Sequence, residues 1–144
     1  MDYPTFFNTK NSLQLFELDR NFKFLSDLYS KKKLPKVLML TGNKGSGKST
    51  LINHFLYSIY DKKNYDRNLY TLNTPSIFFN QFKNNTYPNI IYIHGSDSKS
   101  VKVDDIRELK KKIFQTTIIN EDRFIILDDV ELFNKNSLNS LLKI

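Results

Sequence analysis

The sequence contains no cysteine. That excludes disulfides and thiolate-held metal centres, and it fits a reducing compartment such as the cytosol. No apolar run approaches the roughly 18 residues that a membrane span requires. The opening residues, MDYPTFFNTK, lack the basic start and long apolar stretch of a secretory signal. These absences lead to the expectation of a cytoplasmic chain with no membrane contact. Glycine and proline are scarce, at four each in 144 residues. Three of the four glycines fall within Gly42–Gly47, so they mark one place in the chain. No internal repeat and no low-complexity linker is present, and the length suits one domain.

Lysine, asparagine, isoleucine, tyrosine and phenylalanine are abundant. The net charge is +7, with an isoelectric point near 9.5. Such charge fits either a face for a polyanion or a bias of the whole composition, and the sequence leaves both open.

Leu15, Leu18, Phe22, Leu25 and Leu28 recur at helical spacing, which predicts an amphipathic helix over 12–29. Pro35 disfavours helix in the residue before it, so KKKLP ends that element. KVLMLT at 36–41 reads as a strand buried on both faces, as in parallel sheets. Leu51, Ile52, Phe55, Leu56 and Ile59 form the stripe of a second helix. Residues 61–89 are ambiguous, with Pro75 and Pro88 as breakers. NIIYIHG at 89–95 is a strand. Asp105 and Glu108 then have capping-box spacing. Ile106, Leu109 and Ile113 line one helix face there, with Lys110–Lys112 on the solvated side. FIIL at 124–127 is a third buried strand, ending at Asp128 and Asp129. Leu138, Leu141 and Leu142 lie on one face of a final helix. Nothing stops that helix before Ile144, so the sequence reads as a fragment cut inside it.

Gly42-Asn43-Lys44-Gly45-Ser46-Gly47-Lys48-Ser49 fits the phosphate-loop pattern G-x-x-x-x-G-K-[ST] without a gap. Each position has a chemical reason. The loop wraps a phosphate chain with backbone N–H groups, and glycine lets that backbone approach closely. The following helix starts at the loop, so its free N–H groups and dipole face the anion. Lys48 is the point charge for the β- and γ-phosphates, and the Ser49 hydroxyl is a Mg²⁺ ligand. Thr50 is a weaker candidate for phosphate contact. A second element must hold the metal, and Asp128 follows an apolar run where a Walker B aspartate would sit. Asp129 occupies the next position, where an acid can orient the attacking water. The competing structural reading makes Asp129 a turn or helix cap. His54 and His94 do not pair at metal spacing and read as surface or packing residues.

LPKVLMLTGNKGSGKSTL resembles the phosphate loop of the clamp-loader proteins, where a leucine-proline pair precedes the strand. YPNIIYI followed by VKVDDIRELKKKI resembles the segment in which a strand leads into an isoleucine–arginine–x–leucine helix. FIILDDVELFNKNSLNSLLKI resembles the Walker B strand and the helix after it, here with Asn139 to Lys143. The three blocks come in family order and cover most of 34–144. The closest likeness is to the delta-prime type of DNA polymerase III subunit, an AAA+ family.

The resemblance implies an α/β P-loop NTPase fold of the AAA+ type, a parallel sheet flanked by helices and incomplete at the C-terminus. Residues 1–144 would form a partial nucleotide-binding domain without its lid and collar. It implies ATP and Mg²⁺ as cofactors. The implied partners are other clamp-loader subunits, the sliding clamp and, through the assembled complex, primer-template DNA. Clamp-loader subunits of the tau/gamma type carry a cysteine-held zinc module, so the lack of cysteine favours delta-prime. The alternative is a catalytically active AAA+ ATPase. A GTPase is disfavoured because Asn134-Lys135-Asn136-Ser137 lacks the acid that reads guanine. An ABC-type ATPase is disfavoured because its leucine–serine–glycine–glycine signature is missing. Any nucleotidyl transfer would belong to the polymerase holoenzyme.

Overall fold

The computed structural model describes residues 12–95, 111, 121–136 and 139. The chain divides into two compact units, Met1–Asn84 and Asn85–Ile144.

The first unit is built on helix α1 (Asp19–Ser30), helix α2 (Lys48–Tyr60), a short antiparallel pair of β1 (Tyr65–Asp66) with β2 (Thr71–Leu72), and helix α3 (Ile77–Lys83). Helix α2 is central. Leu51, Asn53, His54, Phe55, Leu56, Tyr57 and Ser58 are all buried, more than one amphipathic stripe provides. Tyr29 of α1 meets Phe55 edge-on at 5.8 Å between ring centroids. Tyr57 meets Phe78 and Phe82 of α3 edge-on, at 4.8 and 5.5 Å. Aromatic pairs at such separations and angles favour the ring quadrupoles as well as burying area.

The first helix begins later than its apolar spacing predicts. Residues 13–15 are extended instead. Leu15 N–H donates to the Tyr70 carbonyl at 3.0 Å, Leu72 N–H donates to the Leu13 carbonyl at 2.9 Å, and Gln14 bridges Thr71. Backbone groups committed to a strand pair are not available to a helix. Glu17, with φ of 56°, turns the chain into α1. Phe22 and Leu25 are buried as the spacing predicts, and Leu15 is buried from the extended segment. The helix also stops before Pro35 takes effect. Lys33 N–H donates to the Leu28 carbonyl at 2.8 Å and Lys32 N–H to the Tyr29 carbonyl at 3.0 Å. Lys32 is left-handed, with φ of 55°. That is a Schellman turn with lysine where glycine is usual.

The strand predicted at 36–41 does not form. The segment is irregular, with Val37 86% and Met39 74% exposed. A strand needs a neighbour to take its N–H and C=O groups, and no described strand pairs with these residues. The ambiguous stretch 61–89, by contrast, contains both short strands and α3. Ser76 caps α3 by accepting from Phe79 N–H at 2.9 Å.

The second unit contains β3 (Ile90–His94) and β4 (Phe124–Asp128), paired in parallel with Ile90 opposite Phe124 and His94 opposite Asp128. Both lie where the apolar runs predict strands. Ile90 is buried, but the rest of the pair is half-buried or exposed rather than buried on both faces, with Ile125 39% exposed. Among the described residues the sheet has these two strands. The N-terminal end is tied by side chains: Asn89 donates to the Glu121 carbonyl at 3.2 Å and Tyr87 O–H to the Glu121 carboxylate at 3.1 Å. A 3₁₀ turn, Val130–Leu132, follows β4. Lys111, Lys135, Asn136 and Asn139 have helical backbone. The expected cap at Asp105 and Glu108, the stripe of Ile106, Leu109 and Ile113, and Leu138, Leu141 and Leu142 lie outside the described residues. Among the described residues no helix is long and apolar enough to cross a membrane.

One feature of the core runs against stability. The Tyr57 side chain is wholly buried and its hydroxyl has no hydrogen-bond partner among the described residues. A buried unsatisfied hydroxyl costs on the order of 1–3 kcal/mol. Tyr57→Phe keeps the ring contacts with Phe78 and Phe82 and removes that penalty. Urea unfolding of the full chain should show this variant more stable than wild type, by about 1 kcal/mol. A less stable variant would mean that the hydroxyl has a partner.

Candidate functional site

The glycine loop runs directly into α2. Gly47 is the residue before Lys48, with φ of 79°, and no side chain caps the helix start. Gly45 has φ of 82° and Gly42 φ of 150°. Side-chain-bearing residues rarely adopt these values. Gly47 is constrained twice, because a Cβ there would lie 2.8 Å from Leu18 Cδ1. The first N–H groups of an α-helix lack intrahelical partners, and Gly47, which has no side chain, makes no side-chain cap here.

Lys48 folds back over the loop. Its Nζ donates to the Gly42 carbonyl at 2.8 Å and to the Asn43 carbonyl at 2.9 Å. Ser46 N–H donates to the Asn43 carbonyl at 3.2 Å. Gly42, Asn43, Lys44, Gly45 and Ser46 are exposed, while Gly47, Lys48, Ser49 and Thr50 are half-buried. The loop 42–47 leads into the first turn of α2, and the Lys48 ammonium ties that turn back to Gly42 and Asn43. An uncapped helix start beside a fixed cation suits an anion with several oxygens.

Asp128 and Asp129 close β4 in the other unit. Asp128 Oδ2 accepts from Tyr92 O–H at 2.7 Å, and its Oδ1 accepts from Asp129 N–H at 3.0 Å. Asp129 is left-handed, with φ of 47° and ψ of 50°. Its carboxylate lies 3.2 Å from His94 Nε2. Gly95 N–H donates to the Asp128 carbonyl at 3.0 Å. A Cβ on Gly95 would collide with the Asp129 carbonyl and lie 2.8 Å from Leu132 Cβ. The chain must therefore be glycine where it passes under this turn. Among the described residues, no three histidine, aspartate or glutamate side chains are grouped to hold a metal ion. Asp128 could contribute a single carboxylate to a cation whose other ligands come from elsewhere, as magnesium sites with nucleotide phosphates commonly do.

Tyr92 is the residue that reading the motifs overlooked, and His94, read as a surface or packing residue, stands beside Asp129. The signal was available in the two strands. Set in parallel register, Tyr92 faces Ile126 and His94 faces Asp128. Alternate residues share a sheet face, so Tyr92, His94 and Asp128 fall together. The two histidines differ. His54 is buried packing: its Nε2–H donates to the Ser12 carbonyl at 2.9 Å, and its Nδ1 accepts from Tyr65 O–H at 3.1 Å. The tautomer follows from the partners, since a carbonyl can only accept. His94 is the one drawn into the acidic turn.

The described residues define a mixed α/β protein with three helices and a short parallel pair of strands. A family model, DNA polymerase III, delta subunit, matches residues 18–144, and the chain belongs to that family. Membership gives it a clamp-loader-related role in DNA replication, among other components of the polymerase III complex. No curated protein matches the chain.

Burial lowers the His54 pKa to about 4, opposed in part by its hydrogen bond to Ser12. The unfolded chain then binds the extra proton near pH 6.5 while the folded chain refuses it until about pH 4. The stability from neutral His54 is complete above the unfolded pKa and is lost as pH falls through that window. Between pH 7 and pH 5 the loss from this group is about 2 kcal/mol. Urea unfolding at the two pH values should show it, and His54→Gln should flatten the slope.

Gly47→Ala should destabilise the first unit by about 1–2 kcal/mol through its left-handed backbone alone, with the Leu18 contact added. Gly45→Ala, whose Cβ would meet nothing within 4 Å, should cost only the backbone strain. Thermal unfolding of both variants tests the difference.

Proposed function

We propose that this chain is a delta-prime-type clamp-loader subunit of the AAA+ class, which binds ATP with Mg²⁺ and serves chiefly as a structural member of the assembly. The observation that carries this reading is the glycine loop. Three glycines take up positive φ, an uncapped helix follows, and Lys48 folds onto the carbonyls of Gly42 and Asn43. That backbone provides N–H donors for phosphate oxygens, and Lys48 supplies the charge once a triphosphate competes for its ammonium. Ser49 is the Mg²⁺ ligand offered by the loop and Asp128 the one offered by the end of β4, and Thr50 would assist at the phosphates. When bound, the metal neutralises charge between the β- and γ-phosphates. The work of the subunit is then to position partners that open the sliding clamp and place it on primed DNA.

A second reading, a catalytically active ATPase, is favoured by one observation: Asp129 stands beside Asp128 at the strand end. Asp129 would orient the attacking water, but its carboxylate is already 3.2 Å from His94. A water-orienting role would need that contact to break.

ATP binding and hydrolysis by the full-length protein, alone and with its clamp-loader partners, distinguish the readings. Lys48→Ala should weaken ATP binding roughly 10- to 100-fold, the loss of a charge-assisted contact. A structural nucleotide site gives binding without turnover. Turnover that appears on assembly and disappears with Lys48→Ala makes the chain a catalytic member. Unchanged ATP binding in Lys48→Ala would end both.

A further inference from the structure

We infer that Tyr92 is a positioning residue for Asp128, its hydroxyl setting the orientation of the carboxylate before a divalent cation arrives. The inference rests on the proposed role of Asp128 as a Mg²⁺ ligand and extends it to a residue with no part in that role so far.

The geometry follows from strand register. Ile126 is opposite Tyr92 and Asp128 is opposite His94, so Tyr92 and Asp128 are diagonal neighbours on one face. Only a long side chain spans that diagonal. Tyr92 O–H reaches Asp128 Oδ2 at 2.7 Å, the short distance of a bond to a charged acceptor. The other oxygen, Oδ1, accepts from Asp129 N–H at 3.0 Å. One donor on each oxygen fixes the plane of the carboxylate as well as its direction.

Both donors are themselves held. The Asp129 N–H is aimed by its left-handed backbone, with φ of 47°, over a glycine that alone fits beneath it. The Tyr92 ring stacks on His94, at 6.3 Å between centroids and 29° between planes. Packing accounts for the ring, since phenylalanine would stack equally well. It does not account for the hydroxyl, whose partner is the acid at the strand end. Outer partners of this kind hold a metal-binding carboxylate ready, and removing one typically weakens the metal 10- to 100-fold.

The test uses the full-length protein with ATP, and Mn²⁺ as a probe whose free concentration is read by electron paramagnetic resonance. ATP affinity is measured separately with chelator present. Wild type, Tyr92→Phe, Tyr92→Met, Asp128→Asn and the Tyr92→Phe/Asp128→Asn double variant are compared. Tyr92→Phe should weaken Mn²⁺ about tenfold, Tyr92→Met should match it, and metal-free ATP affinity should stay at the wild-type value. In the Asp128→Asn background, Tyr92→Phe should add little, because its effect passes through the missing carboxylate. If Asp128→Asn weakens Mn²⁺ and neither Tyr92 variant does, the positioning role is overturned and the metal role of Asp128 stands. If Asp128→Asn itself leaves Mn²⁺ binding unchanged, both are overturned. Parallel loss of Mn²⁺ and metal-free ATP affinity in the Tyr92 variants would make the hydroxyl merely structural and would also overturn the inference.

Discussion

The burial of α2 is the constraint on which the first unit depends. Seven of its thirteen residues are buried, and it receives α1 through Tyr29, β1 through His54 and Tyr65, and α3 through Phe78 and Phe82. Each large apolar side chain fully buried in this way contributes about 1.5–3 kcal/mol. The helix is therefore fixed by its middle and its end. Its first residues, Lys48, Ser49 and Thr50, are fixed as a consequence. The chain before them must turn sharply enough to meet an axis it cannot move, which is where the positive-φ glycines are required. The loop adds little holding of its own beyond the Lys48 contacts and the Ser46–Asn43 hydrogen bond. It is a surface segment positioned by a core, the usual division between scaffold and site.

Glycine scarcity shapes the rest of the chain. With three of the four glycines used in the loop and Gly95 used beneath the acidic turn, left-handed positions elsewhere fall to other residues. Glu17, Lys32, Tyr70, Asn85 and Asp129 all have positive φ. Asn and Asp tolerate this region because a short polar side chain can bond locally. Glu, Lys and Tyr do not share that advantage, so their turns are stabilised by surrounding hydrogen bonds. At Lys32 these are the two bonds that close α1. At Tyr70 they include the Leu15 bond to its carbonyl.

These substitutions explain what could be read in advance and what could not. The glycine loop, the second helix and the strands at 90–94 and 124–128 were legible because each combines a local pattern with a local cause. The delayed start of α1 was not, because Leu15 has the spacing of a helical residue while its backbone pairs with β2. Nothing in 13–15 itself announces that partner, which lies more than fifty residues away. Helix α3 was hidden by its two-turn length, in which Phe78, Phe79 and Phe82 read equally well as strand. The segment 36–41 has the composition of a buried strand. Composition records what a segment can do when paired, whereas pairing is a property of the neighbour. The acids at 128 and 129 were found from the apolar run before them, but their partners could be found only by setting two distant strands side by side.

That side-by-side arrangement separates two adjacent acids that look equivalent in the sequence. Asp128 is the last residue of β4, so its side chain keeps the alternation of the strand and points to the face carrying Tyr92. Asp129 has left the strand. Its left-handed backbone carries its carboxylate to His94 instead. One acid is thus tied to a hydroxyl, which has no charge to give, and the other to an imidazole, which can take up a proton. Of the two, Asp128 is the one whose carboxylate has a neutral donor on each oxygen, Tyr92 O–H and Asp129 N–H, at the end of the strand.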